Sequence, residues 1–298
     1  VFKAMKIAIY IRQYSEENEA ILAELFNYFT STDDIFIEET VFKKLSERSS
    51  RFDSAQTFAE FADLNPSFDV MLTIGGDGTL LKAITYIRHL NIPVLGINSG
   101  RLGFLAMAQK EHLKEVMTEL REKTYKVIER TVIEAVLSET GAPVDEINFA
   151  LNEITVSRKN TASMITIDTY LNDDFLSSYW SDGLIVATPT GSTGYSLSCG
   201  GPVIMPAAKN LVLTPIAPHN LNARPLIIPD DTEIRLTVEG REKKYLLSID
   251  SNMISLSKKK SVTIRKANFT VKMIRLEGDS FIKTLRNKLL WGEDKRNK

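Results

Sequence analysis

The 298-residue chain carries 37 Lys and Arg against 38 Asp and Glu, a formal net charge of -1, with 43% hydrophobic and 25% charged residues. That balance suits one large or two medium folded domains. It gives no broad electrostatic attraction to nucleic acid or to an anionic membrane surface. The single cysteine, Cys199, excludes an intrachain disulfide and a zinc site built from several thiolates. Apolar runs such as residues 70–74 and 92–97 have core-strand length, far short of the roughly 20 residues that span a bilayer. The N-terminus lacks the apolar core and small-residue cleavage site of a signal peptide. Cytoplasmic residence is the default expectation, with Met5 a candidate natural start.

The first third alternates strand and helix patterns. Residues 5–11 (MKIAIYI) form a short β-rich apolar run. Ser15, Glu16 and Glu17 read as a helix start, after which Ile21, Leu22, Leu25, Phe26 and Phe29 recur at helical spacing. Residues 35–38 suggest a second strand, and Ala55, Phe58, Ala59 and Ala62 a further helical face. Residues 70–74 (VMLTI) do not alternate, which predicts a fully buried strand. They run into Gly75-Gly76-Asp77-Gly78, and Leu80, Leu81, Ile84 and Ile87 then resume helical spacing. Residues 93–97 are the next buried strand. Such alternation implies a parallel sheet with helices on its faces.

Near residue 125 the pattern changes to period-two segments at 131–137, 154–157, 164–171, 233–238 and 245–249, separated by Gly, Pro, Asn and Asp. An antiparallel β domain of two packed sheets is the expectation. Phe281, Ile282, Leu285 and Leu289 restore a helical face in the tail, and residues 292–298 are charged.

The turn Gly75-Gly76-Asp77-Gly78-Thr79 lies between a buried strand and a helix. Three glycines in four residues let backbone N–H groups approach an anion closely, and the helix N-terminus adds partial positive charge. Asp77 is informative, because a carboxylate beside phosphates is repelled unless it holds a metal ion or takes a proton from an attacking hydroxyl. The plain alternative is a tight turn with Asp77 as helix N-cap. Lys82, one helical turn on, has two readings of equal standing: a phosphate ligand or a solvated helix face.

GGDGT resembles the turn shared by NAD kinases, diacylglycerol-type lipid kinases and, more distantly, phosphofructokinases. Other segments select the NAD kinase branch. Asn98, Gly100, Leu102, Gly103, Phe104 and Leu105 resemble its NxGxLGFL pattern. Asn152-Glu153 lies far downstream of the glycine turn, as in NAD kinases, whereas lipid kinases carry such a pair directly after it. Residues 182–202 (DGLIVATPTGSTGYSLSCGGP) resemble the signature DGxxxxTPTGSTAYxxSxGGP, with Gly194 where alanine is usual. Small hydroxyl residues and glycines around Tyr195 suit close contact with ribose and phosphate. Pro218, His219, Leu221, Arg224 and Pro225 resemble PHxLxxRP. His219 reads as structural rather than as a base, and His89 and His112 as surface residues. Residues 281–292, with Trp291 and Gly292, resemble the family's C-terminal helix.

The resemblance implies a fold of class α/β plus β. Residues 1–124 would form a Rossmann-like domain carrying GGDGT, and residues 125–270 an antiparallel β-sandwich that binds NAD. Residues 271–298 would supply a strand and helix packing back on the first domain, with the site in the cleft between domains. It implies transfer of the ATP γ-phosphoryl group to the ribose 2′-hydroxyl of NAD, with Asp77 as proton acceptor and Mg²⁺ on the ATP phosphates. Gly75, Gly76, Gly78 and Thr79 would hold phosphate. Asn98, Asn152, Glu153, Asp182, Thr193, Gly194, Tyr195, Ser196, Leu197, Ser198, Ala217 and Asn252 would bind nucleotide. A homodimer or homotetramer is implied as well. The competing readings are a diacylglycerol-type lipid kinase and a non-catalytic NAD(P)-binding sensor, the latter free to lose Asp77.

Overall fold

The computed structural model describes residues 3–100, 102–160 and 163–290. They fall into two compact units, one made of Val1–Glu129 with Val271–Lys298 and the other of Arg130–Thr270.

The first unit starts with β1 (Lys6–Ile11), α1 (Glu16–Leu25), β2 (Asp34–Glu38), α2 (Glu39–Ser46) and β3 (Gln56–Phe58). It continues with β4 (Val70–Gly75), α3 (Asp77–Ile87), β5 (Val94–Asn98), β6 (Ala108–Gln109) and α4 (Leu113–Glu122). Its strands are parallel in the order β3-β2-β1-β4-β5, with β6 beside β5. The chain winds outward from β1 to β3, then crosses back to β4 and on to β5. β1 and β4 therefore flank the point where the winding reverses, the usual ligand crevice of open α/β sheets. All six residues of β4 are buried, as a parallel strand covered on both faces requires. Ser15 caps α1 by accepting from the Asn18 amide, and the helix buries Ile21, Leu22 and Leu25.

One expectation fails here. Ala55, Phe58, Ala59 and Ala62 do not form a helical face: residues 56–58 are the edge strand β3, followed by a short 3-10 turn at Phe61–Asp63. Ala55 and Phe58 are buried, but Ala59 and Ala62 face solvent. Pairing of Gln56, Thr57 and Phe58 with β2 outweighs the helical spacing of small residues.

The second unit takes in β7 (Lys126–Leu137) from its fifth residue, then β8 (Phe149–Ala150), β9 (Glu153–Ser157), β10 (Ile165–Leu171), β11 (Asp174–Ser181) and β12 (Gly183–Ala187). The short helix α5 (Tyr195–Ser198) follows, then β13 (Asn210–Ile216), β14 (Leu226–Pro229), β15 (Ile234–Glu239), β16 (Lys244–Ile249), β17 (Asn252–Ser257) and the start of β18 (Val262–Arg275). One antiparallel sheet has the order β14-β13-β12-β9-β16-β17. In the other, β11, β10, β15 and β18 are neighbours and β7 pairs with β18 and β8. Ile154, Val156, Leu184 and Leu247 of the first sheet and Ile167, Leu236 and Ile264 of the second share one apolar cluster. Two sheets closed face to face over alternating side chains make a sandwich.

The end of β18 returns to the first unit, where Met273 pairs with Val94 and Ile274 and Leu276 enter the core. Helix α6 (Phe281–Leu289), capped by Ser280, belongs to the same unit, and its Leu285 is buried. Trp291 and Gly292 lie outside the described residues. Among the described residues no helix is long and apolar enough to cross a membrane.

Candidate active site

In the first unit, β4 ends on Gly75 at φ 148°, where a Cβ would sit 2.4 Å from Thr79 Oγ1. Only glycine fits there. Gly76 is the helix N-cap, and Asp77 is the first residue of α3, so it does not cap the helix. Instead, Asp77 Oδ2 accepts from the Phe104 amide at 2.8 Å, and Oδ1 accepts from the Leu105 and Ala106 amides at 3.0 Å each. Gly103 permits this approach, since a Cβ on it would lie 1.9 Å from Asp77 Oδ1. The Thr79 and Leu80 amides donate to the Gly76 carbonyl at 2.9 and 3.3 Å, so the amides ahead of them, Asp77 and Gly78, are the ones a helix start offers to an anion.

Asn98, buried at the end of β5, donates to the Ala106 carbonyl at 3.3 Å and accepts from the Gly100 amide at 2.7 Å. Its amide thus shapes the loop that carries residues 99–106. Arg101 in that loop lies outside the described residues. The Phe104 ring sits 6.1 Å from Phe281 of α6, with the Lys288 ammonium 4.9 Å from its centroid. Lys82 is exposed one turn beyond the glycines, and Thr79 is buried.

Arg12 was not singled out from the sequence. It follows β1 directly, at the reversal of winding, and its guanidinium lies 3.3 Å from where a Gly78 Cβ would be. The signal was available: a cation just past the C-terminal end of the central parallel strand.

In the second unit, the segment Leu151-Asn152-Glu153 enters β9. Asp250, in the turn between β16 and β17, accepts from all three amides: Leu151 at 2.8 Å on Oδ2, Asn152 at 2.9 Å and Glu153 at 3.0 Å on Oδ1. Asn152 Oδ1 and Glu153 Oε2 are buried and have no protein partner. Burial, then the nearby Asp250 charge, pushes the Glu153 carboxyl up to about 8, against the Tyr195 amide, which donates to it. Burial likewise raises Asp250 to about 6, opposed by its three amide donors.

The loop after β12 closes on this segment. A Cβ on Gly191 would lie 2.1 Å from the Asn152 carbonyl oxygen, and one on Gly194 would lie 2.8 Å from Glu153 Oε2. The Gly194 backbone thus lies close against the Glu153 carboxylate. Four of the loop hydroxyls are engaged within the protein. Thr188 donates to Leu151, Ser192 to Pro189 and Thr193 to Thr190, while Ser196 bonds Thr214. They build the loop's shape; the exposed Tyr195 ring, the exposed Ser198 and the half-buried Leu197 form its outer face.

Asp182 pairs with Arg158 at 2.9 Å, and its charge acts on the Tyr195 hydroxyl. Asn252 donates to Asp145 at 3.1 Å, and Ala217 is exposed at φ 43°. His219 stacks on Trp180 with centroids 4.4 Å apart, an engagement suited to a structural residue, and His89 packs against Phe61. The structure thus gathers Asn152, Glu153, Gly194, Tyr195 and Asp250 into one cluster, and Asp77, the glycines and Arg12 into another.

Residues 7–125 match the family model of the ATP-NAD kinase N-terminal domain, and residues 151–276 that of the ATP-NAD kinase C-terminal domain. The NAD kinase of Flavobacterium psychrophilum is 51% identical over 294 residues, covering 98% of this chain and 100% of that protein. The NAD kinase of Cytophaga hutchinsonii is 43% identical over 295 residues, with the same coverage. Two solved structures share the fold. Yeast NADH kinase complexed with NADH has a TM-score of 0.85 at 23% identity, covering 98% of this chain and 89% of that one. An Archaeoglobus fulgidus NAD kinase in complex with ATP has a TM-score of 0.69 at 24% identity, covering 96% and 97%. By family models over both units and by identity along nearly its whole length, the chain belongs to the NAD kinase family.

Proposed function

We propose that the protein transfers the γ-phosphoryl group of ATP to the 2′-hydroxyl of the adenosine ribose of NAD, releasing ADP and NADP. The observation that carries the reading is the Asp77 carboxylate, fixed at the glycine turn by three amides. An ionised carboxylate has about four acceptor directions, so roughly one remains to take the 2′-hydroxyl proton. The P–O bond to the β-phosphate breaks as the bond to the ribose oxygen forms. Proton transfer to Asp77 then leaves a neutral ester oxygen at the ribose. Such transfers depend on alignment and charge neutralisation more than on covalent help from the protein. The N-terminal end of α3, with Arg12 and Lys82, supplies positive potential to the phosphates. Asn152, Glu153, Tyr195 and their loop bind the dinucleotide, offering buried oxygens to ribose hydroxyls.

Among the described residues no group of three or more His, Cys, Asp or Glu side chains is placed to hold a metal. Mg²⁺ fits as the nucleotide's own ion, held by the ATP phosphates. It would neutralise phosphate charge there.

The test is incubation with ATP, Mg²⁺ and NAD, with NADP read by an NADP-specific dehydrogenase. NADP formation by the wild-type protein is expected, and Asp77→Asn or Asp77→Ala should lower kcat by about 10² to 10⁴-fold. Near-wild-type turnover in those variants would remove Asp77 as the base. Folded wild-type protein that binds NAD and makes no NADP would instead be an NAD(P)-binding sensor.

A further inference from the structure

Asp250 stands in an unfavourable place. Its φ of 48° belongs to the left-handed region that glycine, asparagine and aspartate visit most readily, and its side chain is a carboxylate buried beside a second one, Glu153. Strain and buried charge persist where the surroundings use them. Here the use is visible: two carboxylate oxygens hold three consecutive amides, and the Asp250 amide returns a bond to the Glu153 carbonyl at 3.0 Å. The four bonds lock the backbone of Leu151-Asn152-Glu153 just where Asn152 Oδ1 and Glu153 Oε2 are left buried without protein partners.

From this geometry we propose that Asp250 is a positioning residue for the dinucleotide, acting through Asn152 and Glu153 and touching no substrate itself. The proposal rests on the NAD kinase reading of the site. Orientation of two side chains from one backbone segment needs that segment immobile, and displacements of about 1 Å cost up to 10²-fold in enzymes. The acidic group suits the task because it accepts only. An asparagine at the same position would turn its NH₂ toward one of the three amide donors and lose at least one bond. The Oδ2 bond to Leu151 or one of the Oδ1 pair would break, and the segment would pivot on the remainder.

Asp250→Asn is the decisive variant, because asparagine tolerates the left-handed backbone and removes a buried charge. Its melting temperature at pH 8 should equal or exceed that of the wild type. Its KM for NAD should rise about tenfold or more, with KM for ATP unchanged within twofold. Asp250→Gly, which suits the backbone and removes every side-chain bond, should raise KM for NAD further. A purely structural residue predicts the reverse: a lower melting temperature, with KM for NAD unchanged in the molecules that remain folded. That outcome, or an equal rise in both KM values, overturns the proposal. Calorimetric titration with NAD keeps the two questions apart. If the wild type binds NAD without making NADP, the kinase reading fails, while the ratio of NAD affinities between wild type and Asp250→Asn still decides the role of Asp250.

Discussion

Gly103 has no side chain, and the Asp77 carboxylate occupies the volume where one would be, with Oδ1 only 1.9 Å from the Cβ position. Gly103→Ala cannot be accommodated without moving that carboxylate or the loop whose amides hold it. Neither residue is part of a large apolar contact, so the damage should fall on turnover rather than on folding. We expect kcat to fall by roughly 10²-fold, the cost of a misplacement near 1 Å, with the melting temperature changed by less than a few degrees. A variant that keeps wild-type kcat would mean that the amide bonds to Asp77 are irrelevant to the chemistry. The motif residues Gly75, Gly103 and Asp77 were legible in the sequence, because their types are dictated by backbone approach and charge. The partner of Asp77 was not, since residues 104–106 meet it only through the fold. Nor could the sequence show that Thr188, Ser192, Thr193 and Ser196 direct their hydroxyls inward. Composition says that hydroxyls are present and leaves open what they face.

At the scale of elements, β1, β4, β5 and α3 stand where apolar runs and helical spacing put them, since each is covered along most of its length. Helix α4 carries Leu113, Val116, Met117 and Leu120 at 0, 3, 4 and 7, a helical spacing plain in the sequence. Edge strand β3 gave almost no signal, having three residues and one buried ring. What ties α4 down is charge as well as apolar packing. Arg121 reaches Asp33, ahead of β2, in a pair whose side chains are 6% and 0% exposed, and it donates to the Tyr28 carbonyl. Asp33 itself accepts from the Met5 and Thr30 amides. Burial alone would raise this carboxyl, but the Arg121 guanidinium and those donors hold it below the ordinary range. Arg121→Met would strand a buried carboxylate at a cost of about 3–5 kcal/mol. For a protein of this size the melting temperature should drop by roughly 10 °C. Loss of less than about 1 kcal/mol in denaturant titration would contradict a buried, essential pair. Because the Asp33 pKa is depressed, its stabilisation is present above the unfolded value near 4 and fades as pH falls through the folded value.

For the whole molecule the second unit reverses that sign. Glu153 and Asp250 have folded pKa values raised to about 8 and about 6, so the native state holds their protons more tightly than the unfolded chain does. Their contribution is greatest below the unfolded values near 4 and is lost as pH rises through 6 and then 8. Melting temperature should therefore decline between pH 5 and pH 9, and Glu153→Gln should flatten the decline. Parallel pH curves for wild type and Glu153→Gln would show that the pair does not titrate in this window. The two-part architecture was readable from the change of hydrophobic period near residue 125, because parallel and antiparallel sheets bury different patterns. The path of the chain was harder to read: a single strand, β18, leaves one unit and ends in the other, and no local property of its residues announces that.

That path sets a schedule for synthesis. The sheet edge at Val94, the core places of Ile274 and Leu276 and the packing of Phe281 against Phe104 all await residues made after Arg130–Thr270. At ribosomal speeds of about 5–20 residues per second, the first unit stays incomplete for on the order of ten seconds after its own opening segment has emerged. During that interval β5 lacks its pairing with β18 and the Phe104 ring lacks its contact with Phe281. The first unit is therefore completed only after the whole of Arg130–Thr270 has been made, while the sandwich is contiguous in sequence.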